Sequence, residues 1–444
     1  MIKALSLMGQ LGYGYNRDSF DRAITEGVDY IGVDAGSIDS GPFFLGSGSM
    51  KANYEATRND LEHPLIEALR RKIPFIIGSA GYAGADVHLG RFMEIVEDIA
   101  KDNKLHFRVA VIHSELEKEY VISLLRKGKI KSYEGNPPLT EEDLLSSSHI
   151  VAQMGVSKFI EALKNGADLI VAGRATDASI YAAYPLLVGY DPALVWHMSK
   201  IIECGALCAK PASPSDALLG FIDEDAFYLK PPNPLRTCTP ESALAHSLYE
   251  NTDPYVIEEP DGTLFLDNAS YEQYDEKTVK VYGARWKDRA KKSFKLEGAK
   301  FSGYRTIAIM GIRNPDMIAQ LDDILDDVRS RATREFGSGF SLTFRQYGRN
   351  GVLGGLEFKS NVYEIGLIVD VVAEEQQFAH RICSVVKAHL QHYDYKGRIA
   401  TGANVAFPYS PAEVDMGGVY EFSVYHIAED EAIEDKFYIE EIEF

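Results

Sequence analysis

The first half of the chain alternates short apolar runs with amphipathic stretches in a regular beat. Apolar runs over residues 2–8, 29–33, 74–77, 107–112 and 168–172 read as strands. Stretches over 19–25, 54–72, 89–101 and 157–165 carry the spacing of helices with one apolar face. Short apolar strands separated by such helices mean βαβ units, and hence a parallel sheet covered on both faces. The expected fold class is α/β: an open, mostly parallel sheet flanked by helices, Rossmann-like, over residues 1–210.

The pattern changes near residue 211. Residues 211–298 carry a proline-rich break, Pro231-Pro232-Asn233-Pro234, and several alternating segments, so they read as a strand-rich bridge. Thr239 before Pro240 is a good helix N-cap with proline in the first turn. From residue 299 a second order appears. Strands are expected over 305–310, 340–346, 364–372 and 419–426, helices over 315–336 and 374–392, with an extra extended piece at 399–406. That is the β-α-β-β-α-β order of a ferredoxin-like α+β domain, 299–444, ending in an acidic tail from Glu429.

Length fits this division, because 444 residues exceed one ordinary core. Net charge is −20, and no basic stripe interrupts it, so a nucleic-acid partner is not expected. No apolar run is long enough to span a bilayer. The N-terminal Met1-Ile2-Lys3 runs straight into a strand, without the apolar region and cleavage site of a secretion signal. Cys204, Cys208, Cys238 and Cys383 are too few and too irregular for a disulfide framework or a zinc site. A cytoplasmic chain with no membrane partner is the expectation. An exposed sheet edge in the second domain would make it a homo-oligomer.

In an open α/β sheet, ligands bind outside the carboxyl ends of the strands, where loops diverge at a topological switch point. Polar residues cluster there: Gln10, Asp34, Ser37, Ser79, His113, Glu115, Arg174, Thr176 and Asp177 each follow an expected strand. Arg174 offers a forked, permanent charge for a carboxylate, although an internal salt bridge to Asp177 or Asp34 would serve it equally well. The amides of Ser79 to Gly81 could cradle an anion, or the glycine could simply make a tight turn. His113 and Glu115, two apart at a strand end, could converge as acid and base. Histidines in such places also hydrogen-bond within cores. Cys204 could be a nucleophile, but a cysteine before glycine at a helix end is more often a small buried residue. Gly9, Gly12 and Gly14 do not give the dinucleotide fingerprint. A divalent metal held by His113, His197 and Asp34 or Asp177 has no compact ligand motif behind it, so no cofactor is expected.

Several motifs together resemble the acyclic terpene utilisation family. They are Asp34-Ala35-Gly36-Ser37 continuing to Gly41-Pro42-Phe43-Phe44-Leu45-Gly46, then Ile77-Gly78-Ser79-Ala80-Gly81, Val111-Ile112-His113, Gln153-Met154-Gly155 and Gly173-Arg174-Ala175-Thr176-Asp177. Glu203-Cys204-Gly205-Ala206, His246-Ser247-Leu248-Tyr249-Glu250, Lys295-Leu296-Glu297-Gly298, Gly303-Tyr304-Arg305-Thr306 and Asn404-Val405-Ala406-Phe407-Pro408 complete the set. The resemblance runs over nearly the whole chain. It implies a setting in the catabolism of carboxylic acids or their coenzyme A esters, as in the degradation of citronellol and geraniol, and assigns no reaction.

Three function classes follow. The favoured one is a lyase of hydratase or dehydratase type on a small carboxylic acid or its CoA ester, with CoA only as part of the substrate. In it Glu115 or His113 moves the proton, Asp34 or Asp177 orients water, and Arg174 with Ser79 and Gly81 binds the substrate, helped by Ser37, Gln10 and Thr176. The second is a thioester or amide hydrolase with Ser79 or Cys204 as nucleophile. The third is a non-catalytic binding or assembly subunit.

Overall fold

The structure, a computed structural model, describes residues 1–133, 135–249, 253–357 and 362–444. Glu250, the last residue of one motif above, lies outside them. The fold is mixed α/β, with a large mixed sheet and helices. It divides into two compact units, Met1–Lys300 with Phe422–Phe444, and Phe301–Glu421.

The first unit is built on a ten-stranded sheet. Its middle is a parallel block in the spatial order Ile2–Ser6, Tyr30–Asp34, Phe75–Gly78, Leu169–Ala172, Arg108–His113. Three of these strands, Tyr30–Asp34, Phe75–Gly78 and Leu169–Ala172, are buried along their whole length. Neighbouring residues go to opposite faces: Ile170 and Ala172 enter one apolar core, Leu169 and Val171 the other. Two covered faces are why these strands read as unbroken apolar runs.

The parallel expectation holds within that block, while the sheet as a whole is mixed. Leu218–Ile222 pairs antiparallel with Ile2–Ser6, and Phe227–Lys230, Val279–Tyr282 and Ser270–Gln273 follow outward, each antiparallel to the last. The turns from Ile222 to Phe227 and from Gln273 to Val279 are short, and a short connection between neighbouring strands allows only antiparallel pairing. At the opposite edge the acidic tail forms a strand, Tyr438–Glu443, antiparallel to Arg108–His113.

Order within the parallel block creates the switch point. The chain passes from Phe75–Gly78 to Arg108–His113, leaving a gap, then returns to fill it with Leu169–Ala172. The loops after Asp34, Gly78 and Ala172 therefore leave adjacent strands, and backbone bonds Ser79 N to Gly173 O (3.1 Å) and Ala35 N to Gly78 O (2.9 Å) tie them together.

In the second unit, residues 304–312 of a long strand and Phe340–Tyr347 both pair antiparallel with Ile365–Ala373. Leu321–Phe336 and Gln376–His392 place Leu325, Val328, Ile382 and Val386 in one core with Leu367, Val369 and Val371. The helix expected over 315–336 is two helices, Pro315–Ala319 and Leu321–Phe336. The extended piece expected at 399–406 is not a strand. Only Ala406 makes a β-bridge, to Gly311, because the segment satisfies a helix end instead: the Asn404 amide donates to Leu390 O and Tyr393 O.

Candidate active site

Thr176 ends the loop after Leu169–Ala172 and starts the helix Asp177–Leu187. The next helix, Pro192–Ile202, is capped by the Asp191 carboxylate, which accepts from Ala193 N and Leu194 N. That helix delivers Lys200 in its last turn and Glu203 just past its end. A hairpin brings a third wall. Glu259 follows the strand Val256–Glu258 and exchanges both backbone hydrogen bonds with Gly262. Gly155 admits this turn, since a Cβ there would stand 2.1 Å from Asp261 Oδ2. The fourth wall is the start of the strand Phe294–Ile312. Phe294 and Leu296 enter the apolar core, so Lys295 and Glu297 share the other face.

These elements enclose a polar cavity of about 270 Å³. Ser37, Arg174, Thr176 and Asp177 line it, as do Lys200, Glu203, Glu259, Lys295 and Gln153. Tyr133 and Tyr425 add their rings, and Ile257 and Ala178 are its aliphatic lining.

Arg174 is the structural centre. Its side chain is 5% exposed, and Nε donates to Glu297 Oε2 at 2.8 Å. One terminal nitrogen donates to Ser79 Oγ (3.1 Å) and, at 3.4 Å, to Gly36 O. The same nitrogen lies 3.7 Å from Asp177 Oδ1. The other Glu297 oxygen accepts from Gln153 (3.1 Å) and lies 3.5 Å from Lys295 Nζ. Lys295 Nζ also meets the Tyr425 hydroxyl at 2.7 Å and lies 4.2 Å over that ring.

Burial dominates the proton affinities. It pushes Glu259 up to about 7, with the Thr176 hydroxyl and the Lys200 charge pulling the other way. One Glu259 oxygen, Oε2, is buried without a hydrogen-bond partner among the described residues. Burial also raises Glu203, to about 8, against the pull of the Lys200 ammonium 2.5 Å away. Asp34 rises well above the usual carboxylate range through burial and then the charge of Asp177, with Arg174 and the Gly36 N–H opposing. Asp177 rises too, chiefly through burial, although its side chain keeps 37% exposure.

Of the residues expected from sequence, Ser37, Arg174, Thr176 and Asp177 come together at the cavity. Asp34 and Ser79 lie buried beside Arg174. Ser79 holds a left-handed φ of 48°, and its Oγ also receives Ala175 N at 3.3 Å. The other five do not line the cavity. Gly81 (φ 67°) packs its backbone against His88. Gln10 sits in the turn after the first strand, and Cys204 packs its backbone on Gly9. His113 Nδ1 pairs with Asp86 Oδ1 at 2.7 Å, and its ring stacks on Tyr438 at 4.2 Å. Glu115 pairs with His149 (2.7 Å) and accepts Asp86 N at the start of the helix Asp86–Asn103. The two residues thus take separate partners instead of meeting as an acid–base pair. His197 is a core histidine, bonded to Tyr271 and Ser247. Among the described residues no cluster of three or more His, Cys, Asp or Glu could hold a metal ion.

Sequence reading missed Gln153, Lys200, Glu203, Glu259, Lys295 and Glu297 as site residues. A signal existed for part of this set. Gln153, Glu203, Lys295 and Glu297 all stand inside motifs that carry the family resemblance. Glu259 had none, since Glu258-Glu259-Pro260-Asp261-Gly262 reads simply as a turn.

No helix among the described residues is long and apolar enough to cross a membrane. Comparison with curated proteins and with solved structures found no match. The model of the family described as acyclic terpene utilisation family protein AtuA matches residues 23–209 and 226–412. Those segments contain most of the cavity wall, from Ser37 through Arg174, Glu203 and Glu259 to Lys295, and the chain belongs to the acyclic terpene utilisation family.

Proposed function

We propose that the cavity is the active site of a lyase, of hydratase or dehydratase type, acting on a small carboxylic acid or its CoA ester. The observation that carries this is Glu259: a buried carboxyl on the cavity wall, one oxygen unpartnered among the described residues, with a proton affinity near neutrality. A group of that kind is matched to proton transfer at neutral pH. The family's association with terpene utilisation supports a catabolic setting.

In the dehydration direction, the Glu259 carboxylate takes the proton from the carbon beside the carbonyl. The electron pair of that C–H bond moves to the carbonyl oxygen, where the Lys295 ammonium stabilises the charge. The charge returns to form the carbon–carbon double bond, and the neighbouring C–O bond breaks. The leaving hydroxyl takes a proton from Asp177, whose proton affinity burial raises, and departs as water. Hydration runs the same steps backward. Arg174 is committed to its own wall and holds Asp177 and Glu297 in place.

This assigns proton transfer to Glu259 in place of Glu115 or His113. It also sets aside the two nucleophiles expected for a covalent hydrolase: Ser79 is fully buried with its Oγ bonded to Arg174, and Cys204 does not line the cavity. The test is turnover of a panel of short 2-enoic and 3-hydroxy acids and their CoA esters, followed by enoyl absorbance. Glu259→Gln should lower turnover at least ~100-fold with unfolding unchanged at pH 4.5. Full activity in that variant, or no turnover of any panel member by the wild type, would overturn the proposal.

A further inference from the structure

We infer that Lys295 reads a free carboxylate, and that the substrate is a short hydroxylated acid instead of an apolar acyclic chain; this rests on the cavity being the lyase site. Among the described residues three cations line the cavity, and their commitments differ. Arg174 is bound to Glu297 at 2.8 Å and Lys200 to Glu203 at 2.5 Å. Lys295 meets a neutral phenol, Tyr425, at 2.7 Å, and one oxygen of a carboxylate that Arg174 already holds, at 3.5 Å. Its ammonium is therefore the least neutralised of the three. It is also well seated, over the Tyr425 ring at 4.2 Å and the Tyr133 ring at 5.5 Å. An ammonium fixed in this way, 20% exposed and on a cavity wall, is prepared for an anionic partner.

The rest of the wall decides what the anion is attached to. Asp39, Asp177, Glu203, Glu258 and Glu259 present carboxyl groups, and Ile257 and Ala178 are the aliphatic contacts. An apolar chain placed here would strip water from those groups without replacing their hydrogen bonds, which is costly. A hydroxylated chain supplies donors to the same oxygens. The buried, unpartnered Glu259 Oε2 is one such acceptor in wait of a donor. A volume of about 270 Å³ suits a small acid. Although the family is associated with acyclic terpenes, this chain's cavity is chemically unlike a terpenoid tail.

The test is calorimetric titration of the full chain with four- to six-carbon 3-hydroxy acids, their neutral amides, and geranic acid as an acyclic ten-carbon acid. The hydroxy acids should bind at least ~10-fold more tightly than the amides or geranic acid. Lys295→Gln should weaken the hydroxy acids by a similar factor, and Lys295→Arg should retain most of the affinity. Geranic acid binding as tightly as the hydroxy acids, equal affinity for acid and amide, or unchanged affinity in Lys295→Gln would each overturn the inference. Turnover separates the two proposals. Geranic acid binding with Glu259-dependent turnover would sink the inference and keep the lyase. Lys295-dependent binding of hydroxy acids that are never turned over would do the reverse.

Discussion

Arg174 Nε and Glu297 Oε2 are 2.8 Å apart, with side chains 5% and 0% exposed. This ion pair joins the loop after the strand Leu169–Ala172 to the strand that supplies Lys295. Both charges are out of water, so either alone would be stranded. Glu297→Ala should therefore destabilise the protein by ~3–5 kcal/mol in urea unfolding, and Arg174→Met by a similar amount. Replacing both together, as Arg174→Met with Glu297→Ala, should cost clearly less than the two singles added. Additive losses would mean that the pair is not acting as a unit.

Lys72 and Lys104 end the helices Tyr54–Arg71 and Asp86–Asn103 in the left-handed conformation, at φ 60° and 53°. Both side chains are exposed, so backbone conformation dominates what a substitution does. Lysine is strained there and glycine is not. Lys72→Gly and Lys104→Gly should each stabilise by ~0.5–1 kcal/mol, whereas Lys72→Val should destabilise. The check is the shift in denaturation midpoint, and glycine variants less stable than wild type would contradict the argument.

The parallel block was legible because its strands are buried on both faces and so read as plain apolar runs. Arg174, Thr176 and Asp177 were legible for the same reason, since their place after a strand end follows from that pattern. The remaining site residues are contributed by long-range packing. Lys295 and Glu297 reach Arg174 only because their strand pairs with Ser147–Ala152, through Leu296 opposite Ala152, and sequence spacing carries no record of such pairing. His113 and Glu115 show the converse. Their two-residue spacing suggested convergence, but Asp86 and His149 come from elsewhere in the chain and claim one each. The strand Tyr438–Glu443 was hidden by its glutamates, whose charge suits an exposed sheet edge.

His113 links that edge strand to the rest of the sheet. It bonds Asp86 at 2.7 Å, lies 3.5 Å from Glu440 Oε2 and stacks on Tyr438. Burial pulls its proton affinity down, but Asp86 and Glu440 together outweigh this and raise it above 6.5. The stabilisation is then fully present below pH 6.5 and is lost as pH rises through the raised value. Hydrogen exchange at 438–443, normalised for intrinsic rates, should show protection falling over that range. Asp86→Asn should flatten the dependence, and a pH-independent profile in the wild type would count against the link.

Glu259 predicts the opposite kind of signature in the core. Its affinity near 7, against an ordinary 4.5, arises mainly from burial of the charged form. The folded state thus holds a proton that the unfolded state gives up. Stability from this group is full below pH 4.5 and is lost as pH rises through about 7. The gap corresponds to ~3 kcal/mol. Glu259→Gln cannot ionise, so it should match wild type near pH 4.5 and become more stable than wild type by up to that amount at pH 8. Catalysis should run the other way. A carboxylate base is needed for dehydration, so wild-type turnover should climb through pH 7 while stability declines. Urea unfolding of both proteins at several pH values, beside the turnover profile, measures the two limbs. A variant no more stable than wild type at pH 8 would show that Glu259 ionises without cost, and would remove the basis for its role as the proton-transfer group.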